Sequence, residues 1–239
     1  MWDDTAALRM TANLLFAVAA VLMLYGAAHY VVHLQFFPLR DLQLTGDVAH
    51  VTHAQVEAVV TRELRGNFFT VDLAQAREAF EKLPWVRKVN VRRQWPDRLE
   101  VTVEEHRPLA RWGSTALVSA QGEVFEAAIN TTLPVLQGPE GTASEVVSHF
   151  QAFDRALEPV GRRIVQITLS ARRAWVLKLD DGTVLELGRD NLESRLAGFV
   201  AAYGRTVANL PRPSTYIDLR YTNGFAVRSP GLKWDRKKT

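Results

Sequence analysis

Between Ala12 and Val32 the chain runs for 21 residues without an Asp, Glu, Lys or Arg: ANLLFAVAAVLMLYGAAHYVV. No other feature restricts the fold so strongly, because a stretch this long and apolar has few stable places in water. As a helix it is about 31 Å long, close to the ~30 Å hydrocarbon core of a bilayer. The reading is one membrane-spanning helix over residues 12–32, preceded by a short stub, residues 1–11. Tyr25, Tyr30, Phe36 and Phe37 crowd its second half, as expected of aromatic residues near a membrane interface. A cleaved signal peptide would carry an apolar region of roughly 7–15 residues behind a basic segment. Here MWDDTAALRM sets only Arg9 against Asp3 and Asp4, although Gly26-Ala27-Ala28 is similar to a cleavage site. An uncleaved anchor is therefore expected. Arg9 on one side and Arg40 on the other leave the orientation undecided by charge. The short stub favours export of the large carboxy-terminal part.

With the anchor set aside, the remaining chain keeps 28 of the 29 basic residues and 24 of the 26 acidic ones, a net charge of +4. The basic residues are scattered, apart from Arg87-Lys88, Arg92-Arg93 and the tail Lys233–Lys238. An isoelectric point near 9.3 is compatible with nucleic-acid binding. A mildly basic, solvated surface is the simpler account for a chain tethered to a membrane. A charged fraction of 23% is ordinary for a globular chain and argues against disorder. There is no cysteine, which excludes disulfides, thiolate metal sites and a cysteine nucleophile.

Residues 38–106 read as β-α-α-β-β. Leu39, Leu42 and Leu44 begin a strand that stops at Thr45-Gly46. Thr52 and Gln55 form a capping box that opens a helix with Val56, Val59, Val60 and Leu64 on one face. Gly66-Asn67 ends it. Asp72 and Gln75 repeat the signature for a second helix, with Leu73, Ala76, Phe80 and Leu83 inward, and Pro84 stops that helix. A strand follows over Trp85–Trp95, then a turn, Trp95-Pro96-Asp97-Arg98. The next strand alternates, with Leu99, Val101 and Val103 in and Glu100, Thr102 and Glu104 out. A three-stranded sheet with both helices on one face satisfies this order.

Residues 107–228 predict an α+β domain with a mainly antiparallel sheet. Ala116–Ser119 and Glu123–Phe125 flank a hairpin turn, and Leu133–Leu136 forms another short strand. Thr142 and Glu145 predict a cap for a helix carrying Val146, Phe150, Phe153 and Leu157, ended by Pro159-Gly161. Ile164–Leu169, Ala174–Leu179 and Thr183–Leu187 form a meander with Asp180-Asp181-Gly182 as one turn. Asp190 and Glu193 predict a cap for the last helix, with Leu192, Leu196, Phe199, Tyr203 and Val207 as its apolar stripe. A closing strand, Thr215–Tyr221, precedes Asn223-Gly224 and a short extension to Arg228. Residues 229–239 form a basic tail.

No catalytic, cofactor-binding or metal site is expected. The chain lacks a GxGxxG fingerprint, a P-loop, a GxSxG elbow and an HExxH motif. His29 and His33 share a helix face, but two ligands without a third carry little weight. His50 and His53 flank a loop-to-helix junction with no carboxylate close in sequence. Glu104 and Glu105 are neighbours on a strand and face opposite ways.

The order of stub, span, β-α-α-β-β unit and α+β domain resembles the FtsQ/DivIB family, bitopic division proteins of bacteria. Three segments carry the resemblance. NFFTVDLAQAREAFEKLPWVRKVNVRRQWPDRLEVTVEEHRPLARW is similar to the family's POTRA module. SARRAWVLKLDDGTVLELGRDNLESRLAGFV, Ser170–Val200, is similar to its central hairpin and last helix. YIDLRYTNGFAV, Tyr216–Val227, is similar to its closing strand. POTRA patterns also occur in outer-membrane assembly factors, the competing reading, but those lack this anchor and second domain. The resemblance implies a non-enzymatic scaffold of the inner membrane and septum. Its N-terminus is cytoplasmic and its bulk periplasmic, and it forms a complex with FtsB and FtsL that influences septal peptidoglycan synthesis. It places contact with FtsB at Arg220, Tyr221, Asn223, Gly224 and Phe225, with Arg172, Arg173 and Trp175 on the preceding hairpin. If Thr215–Tyr221 is a sheet edge, it can accept a partner strand. Tyr221 is then the expected aromatic anchor, and Arg173 or Arg220 the expected partner of an acidic residue.

Overall fold

The computed structural model describes residues 5–33, 41–46, 48–64, 66–210, 214–221 and 223–229. Leu39, Phe36, Phe37, Arg40, Thr222 and the tail Lys233–Lys238 lie outside these residues, as do the first four residues of the stub. The chain divides into two compact units, Met1–Glu105 and His106–Thr239.

The first unit opens with α1, Thr5–His33, the one helix among the described residues long and apolar enough to cross a membrane. None of its most apolar stretch is buried against protein. After it come β1 (Asp41–Thr45), α2 (His53–Glu63), α3 (Leu73–Glu81), β2 (Val86–Gln94) and β3 (Arg98–Glu105). The sheet order is β1-β3-β2, with β1 parallel to β3 and β2 antiparallel to it. This is the β-α-α-β-β arrangement expected from the apolar spacing. α2 carries the full capping box. The Thr52 side chain accepts from the Gln55 amide, and the Gln55 side chain accepts from the Thr52 amide. Asp72 caps α3 by accepting from the amides of Ala74 and Gln75 at 2.9 and 3.1 Å. Val56, Phe80, Val86, Val89, Val101 and Val103 form the buried core between helices and sheet. The opposite sheet face is polar and laced with cross-strand ion pairs, Arg92 to Glu100 and Arg87 to Glu104.

The second unit is built on one nine-stranded sheet. Its strands are β4 (Pro108–Trp112), β5 (Ala116–Ser119), β6 (Val124–Phe125), β7 (Val135–Gln137), β8 (Ile164–Leu169), β9 (Trp175–Leu179), β10 (Val184–Gly188), β11 (Tyr216–Asp218) and β12 (Ala226–Arg228). In space they run β12-β11-β10-β9-β8-β7-β4-β5-β6. Most pairings are antiparallel; β10–β11, β7–β8 and β4–β7 are parallel. Helices α4 (Ala143–Leu157) and α5 (Leu192–Tyr203) supply Val146, Phe150, Phe153, Leu157, Leu196 and Phe199 to one core with Ile167, Leu177, Leu185, Leu187 and Ile217 of the sheet.

Three expectations for this unit are corrected. Thr142 does not cap α4; its hydroxyl donates to the Pro139 carbonyl at 2.6 Å, and Glu145 is taken up by Arg173. The last helix is entered through Asn191 in a left-handed conformation, not through an Asp190 cap, and it ends at Tyr203, so Val207 belongs to a separate 3-10 turn. The closing strand is shorter than expected and is not the sheet edge. β11 covers only Tyr216–Asp218 and is hidden on its outer side by antiparallel β12. β4 has no strand signal in the sequence, because Pro108 at its start and the polar Arg111 within it mask the strand pattern.

Candidate interaction site

The residues singled out in the second unit gather at one end of its sheet. β10 and β11 run parallel, so the carboxy-terminal ends of both lie together, and β9 begins at the same end because Trp175 pairs with Gly188. The β8–β9 turn carrying Arg172 and Arg173, the entry to α5, and the β11–β12 turn carrying Tyr221, Asn223, Gly224 and Phe225 therefore share this end. Gly188 makes the crowding possible. It has φ +81°, and a Cβ there would meet Arg195 Nη1 at 2.8 Å and Arg220 Cγ at 3.0 Å.

Arg220 is the hub. Its amide and Nε donate to Asp218 Oδ1 at 3.0 and 2.9 Å, and Nη2 donates to Asp218 Oδ2 at 2.7 Å. Nη1 reaches Glu186 Oε1 at 2.8 Å. The Tyr216 hydroxyl donates to the other oxygen of Glu186, and the Arg228 guanidinium lies over the Tyr216 ring, 5.6 Å from its centroid. Hydrogen bonding from Arg220 holds the Asp218 carboxyl below its ordinary range, and the bond to Glu186 pushes the Tyr216 hydroxyl up to about 12. The bond to Asp218 likewise keeps Arg220 charged. Arg220 is thus already satisfied within the chain. So is Arg173, which has φ 64° and grips Glu145 with both terminal nitrogens, one at 2.8 Å. Arg172 is exposed and makes no ion pair among the described residues.

Trp175 is not at the surface. It is 2% exposed, lies edge-on to Phe153 at 6.2 Å and packs on His149 at 4.5 Å, so it belongs to the core beneath the Arg173 turn. Tyr221 is exposed, as an aromatic anchor for a partner requires. Strict alternation would place it with Ile217 and Leu219, which are 0% and 2% exposed, yet it is 60% exposed because the strand has ended at Asp218. Asn223 and Gly224 are exposed beside it, while Phe225 turns back and meets Phe199 edge-on at 5.8 Å. Between this turn and α5 lies a groove of about 450 Å³, lined by Asn191, Arg195, Phe199, Leu219, Tyr221 and Phe225 among others. A second depression of about 500 Å³ runs over Tyr221, Asn223, Gly224, Phe225 and Ala226 towards β12.

Glu186 and Arg195 escaped sequence reasoning, because nothing local marks residues that reach this cluster from another strand or from a helix. The strand that ends the sheet among the described residues, β12, was more legible. Asn223-Gly224 between apolar runs is a hairpin signal, and it announces a strand after β11.

Elsewhere, His50 is not remote from carboxylates. Its Nδ1 lies 3.0 Å from Glu105 Oε2, and the same carboxylate accepts from the amides of Ala49, His50 and Val51 at 2.8–3.2 Å. His29 stacks on Tyr25. Among the described residues, no group of three or more His, Asp or Glu is placed to hold a metal ion. The arrangement offers strand edges, grooves and internally satisfied charges.

A POTRA unit behind an apolar helix, followed by an α+β unit whose sheet ends on β12 among the described residues, defines a POTRA-bearing protein with a candidate membrane span. Residues 37–106 match the family described as "POTRA domain, FtsQ-type", and residues 110–220 match "Cell division protein FtsQ/DivIB, C-terminal". The second match ends at Arg220, so the β11–β12 turn lies beyond it. Cell division protein FtsQ of Nitrosospira multiformis is 44% identical, over 95% of this chain and 99% of the relative. Cell division protein FtsQ of Burkholderia pseudomallei is 40% identical over 98% and 96%, and that of Neisseria gonorrhoeae 33% identical over 95% and 95%. The chain belongs to the FtsQ/DivIB family of cell division proteins.

Proposed function

We propose that this chain is a bitopic, non-enzymatic division scaffold that links early and late division proteins at the septum. In this reading residues 1–11 are cytoplasmic, 12–32 span the inner membrane, and 38–106 and 107–228 form the periplasmic POTRA and carboxy-terminal domains. Residues 229–239 are the basic tail. The partners are FtsB and FtsL, engaged through the carboxy-terminal edge. The observation that carries the proposal is the outer edge of β12, the last strand of the nine-stranded sheet, with the exposed ring of Tyr221 and a groove beside it. An extended partner segment adds a strand to β12, and alternate side chains reach the groove. Tyr221, Asn223, Gly224 and the solvent side of Phe225 form the contact surface. Arg172, exposed and without an ion pair among the described residues, meets an acidic partner residue. Arg173 and Arg220 take part through their fixed turns, and Trp175 supports the Arg173 turn from below.

The test is a fluorescent fusion of the full chain, wild type and Tyr221→Ala, in cells depleted of the native protein, paired with the affinity of each for FtsB. The wild type is expected at the septum, with division restored. Tyr221→Ala is expected to fold and localise but to bind FtsB about 30-fold or more weakly, the scale of an aromatic hot spot worth ~2 kcal/mol. Unchanged FtsB affinity in the folded variant would remove Tyr221 from the interface. A wild-type fusion absent from the septum would sink the scaffold reading itself.

A further inference from the structure

One end of the POTRA unit is tied to the apolar helix. Because β1 is parallel to β3 and β2 antiparallel to it, Asp41, Gln94 and Arg98 lie together at that end. The turn joining β2 to β3 projects Trp95, which is 81% exposed. That exceeds Met23, at 77% the barest large side chain of the described part of α1. The α2–α3 loop is fixed next to this turn. Arg93 Nε donates to the Phe68 carbonyl at 2.7 Å, and Nη2 to those of Phe69 and Val71 at 3.2 and 2.7 Å. Asn67 opens the loop. Its Oδ1 accepts from the amides of Phe69 and Thr70, and its Nδ2 donates to the Val32 carbonyl, in the last turn of α1, at 2.7 Å. Phe68 is buried at 5%, while Phe69, edge-on against it, is 44% exposed. A continuous set of hydrogen bonds therefore joins the end of the apolar helix to the loop and the turn that bear two exposed aromatic rings. The chain itself adds a bound. Seven residues separate His33 from Asp41, so Asp41 lies within about 29 Å of the end of the helix.

Charge narrows the partner. Arg92, Arg93 and Arg98 at this end are matched by Asp41, Asp97 and Glu100, with Arg92 held by Glu100 at 2.9 Å and Arg98 by Asp41 at 3.5 Å. Among the described residues the charges at this end balance, so they supply no polybasic attraction to anionic lipid. What this end presents is an amphipathic indole and a phenyl ring at the exit of a helix of membrane-spanning length. Aromatic rings of this kind settle at the headgroup level of a bilayer.

We infer that the Trp95 turn and Phe69 dock the POTRA unit on the bilayer surface beside its own span. The inference rests on the reading of α1 as a membrane anchor. The chain has no cysteine, so single labels can be placed without background. The full chain is reconstituted in vesicles of phosphatidylcholine, with and without phosphatidylglycerol. A fluorophore is attached in turn at Leu22→Cys in α1, Asp97→Cys beside Trp95, and Lys88→Cys towards the far end of β2. Quenching by brominated lipids is then read. The Leu22 and Asp97 labels are expected to be quenched in both vesicle types and the Lys88 label not. Salt at about 0.5 M should leave this pattern unchanged, because no long-range charge attraction is involved. Adding Trp95→Ala should remove most of the quenching at position 97, and Trp95→Phe should restore part of it.

Quenching at Leu22 without quenching at Asp97 overturns the docking and leaves the anchor standing. No quenching at Leu22 overturns the anchor and the docking with it. Quenching at Asp97 that survives Trp95→Ala, or that needs phosphatidylglycerol, refutes the aromatic basis. Shielding of the Asp97 label that appears only on addition of a protein partner assigns the surface to that partner instead. The Asp97 label in the otherwise unsubstituted chain gives its answer even if Trp95→Ala fails to fold.

Discussion

Glu105 sits at the end of β3 with its side chain 6% exposed. Burial alone would raise its pKa, but hydrogen bonds outweigh that. The amides of His50, Val51 and Ala49 and the His50 ring all favour the carboxylate, and its pKa is lowered. The carboxylate thereby closes the loop between β1 and α2. Trp85, with φ 73°, stacks on the His50 ring at 3.9 Å and covers it. A carboxyl depressed on folding contributes stability that is fully present above its unfolded value of about 4.3, and that is lost as pH falls through the lower folded value. Glu105→Gln is expected to destabilise the POTRA unit by about 1–3 kcal/mol at pH 7, since one amide oxygen cannot serve the donors a carboxylate serves. Urea unfolding of both proteins at pH 7 and pH 3 checks this. The gap should narrow sharply at pH 3, and a gap independent of pH would refute the account. Nothing in the sequence joins Glu105 to Ala49-His50-Val51, about 55 residues earlier, because the contact exists only once β3 lies along β1.

At the level of elements, the β11–β12 hairpin decides what the sheet offers to a partner. Ile217 and Leu219 were legible as core from their spacing, and the structure buries both. The edge was misplaced by one strand, although Asn223-Gly224 signalled the reversal. The reason is length: a three-residue strand with Ala226, Val227 and Arg228 carries too little alternation to outweigh a loop reading. Phe225 fixes the hairpin to α5 through Phe199, which also meets Tyr203 edge-on at 5.5 Å. Phe225→Ala is expected to cost about 1–3 kcal/mol of the second unit's stability. That is less than the ~3–5 kcal/mol of a fully buried phenylalanine, because its ring is only partly covered. A shift in the urea midpoint measures it. An unchanged midpoint would mean that the aromatic contact does not hold the turn.

For the whole molecule, the apolar helix was legible from residue counting alone. The change from one unit to the next was legible as two different textures, long amphipathic spacing before residue 106 and short strands after it. The helix carries Ala17, Ala20, Gly26 and Ala27, small enough for close approach by another span, but its most apolar stretch is unburied among the described residues. It is expected to act as a tether. Replacing residues 12–32 with an unrelated apolar span of equal length should preserve full division in a complementation assay. Filamentous cells with normal protein levels would instead assign a specific contact to the span.

The sequence by itself determined the long apolar helix, the capping of α2 and α3, the POTRA order and most of the apolar core. Each of these is a local matter of periodicity, caps and length, settled within one or two turns of chain. Only the tertiary structure decided which strand ends the sheet, that Trp175 is core while Tyr221 is surface, and that Arg173 and Arg220 are already paired within the chain. It alone placed Trp95 at the end of the sheet that is bonded to the apolar helix. Burial, ion pairing and edges depend on what lies across from a residue in space, and strand neighbours tens of residues apart leave no mark on one another in the sequence.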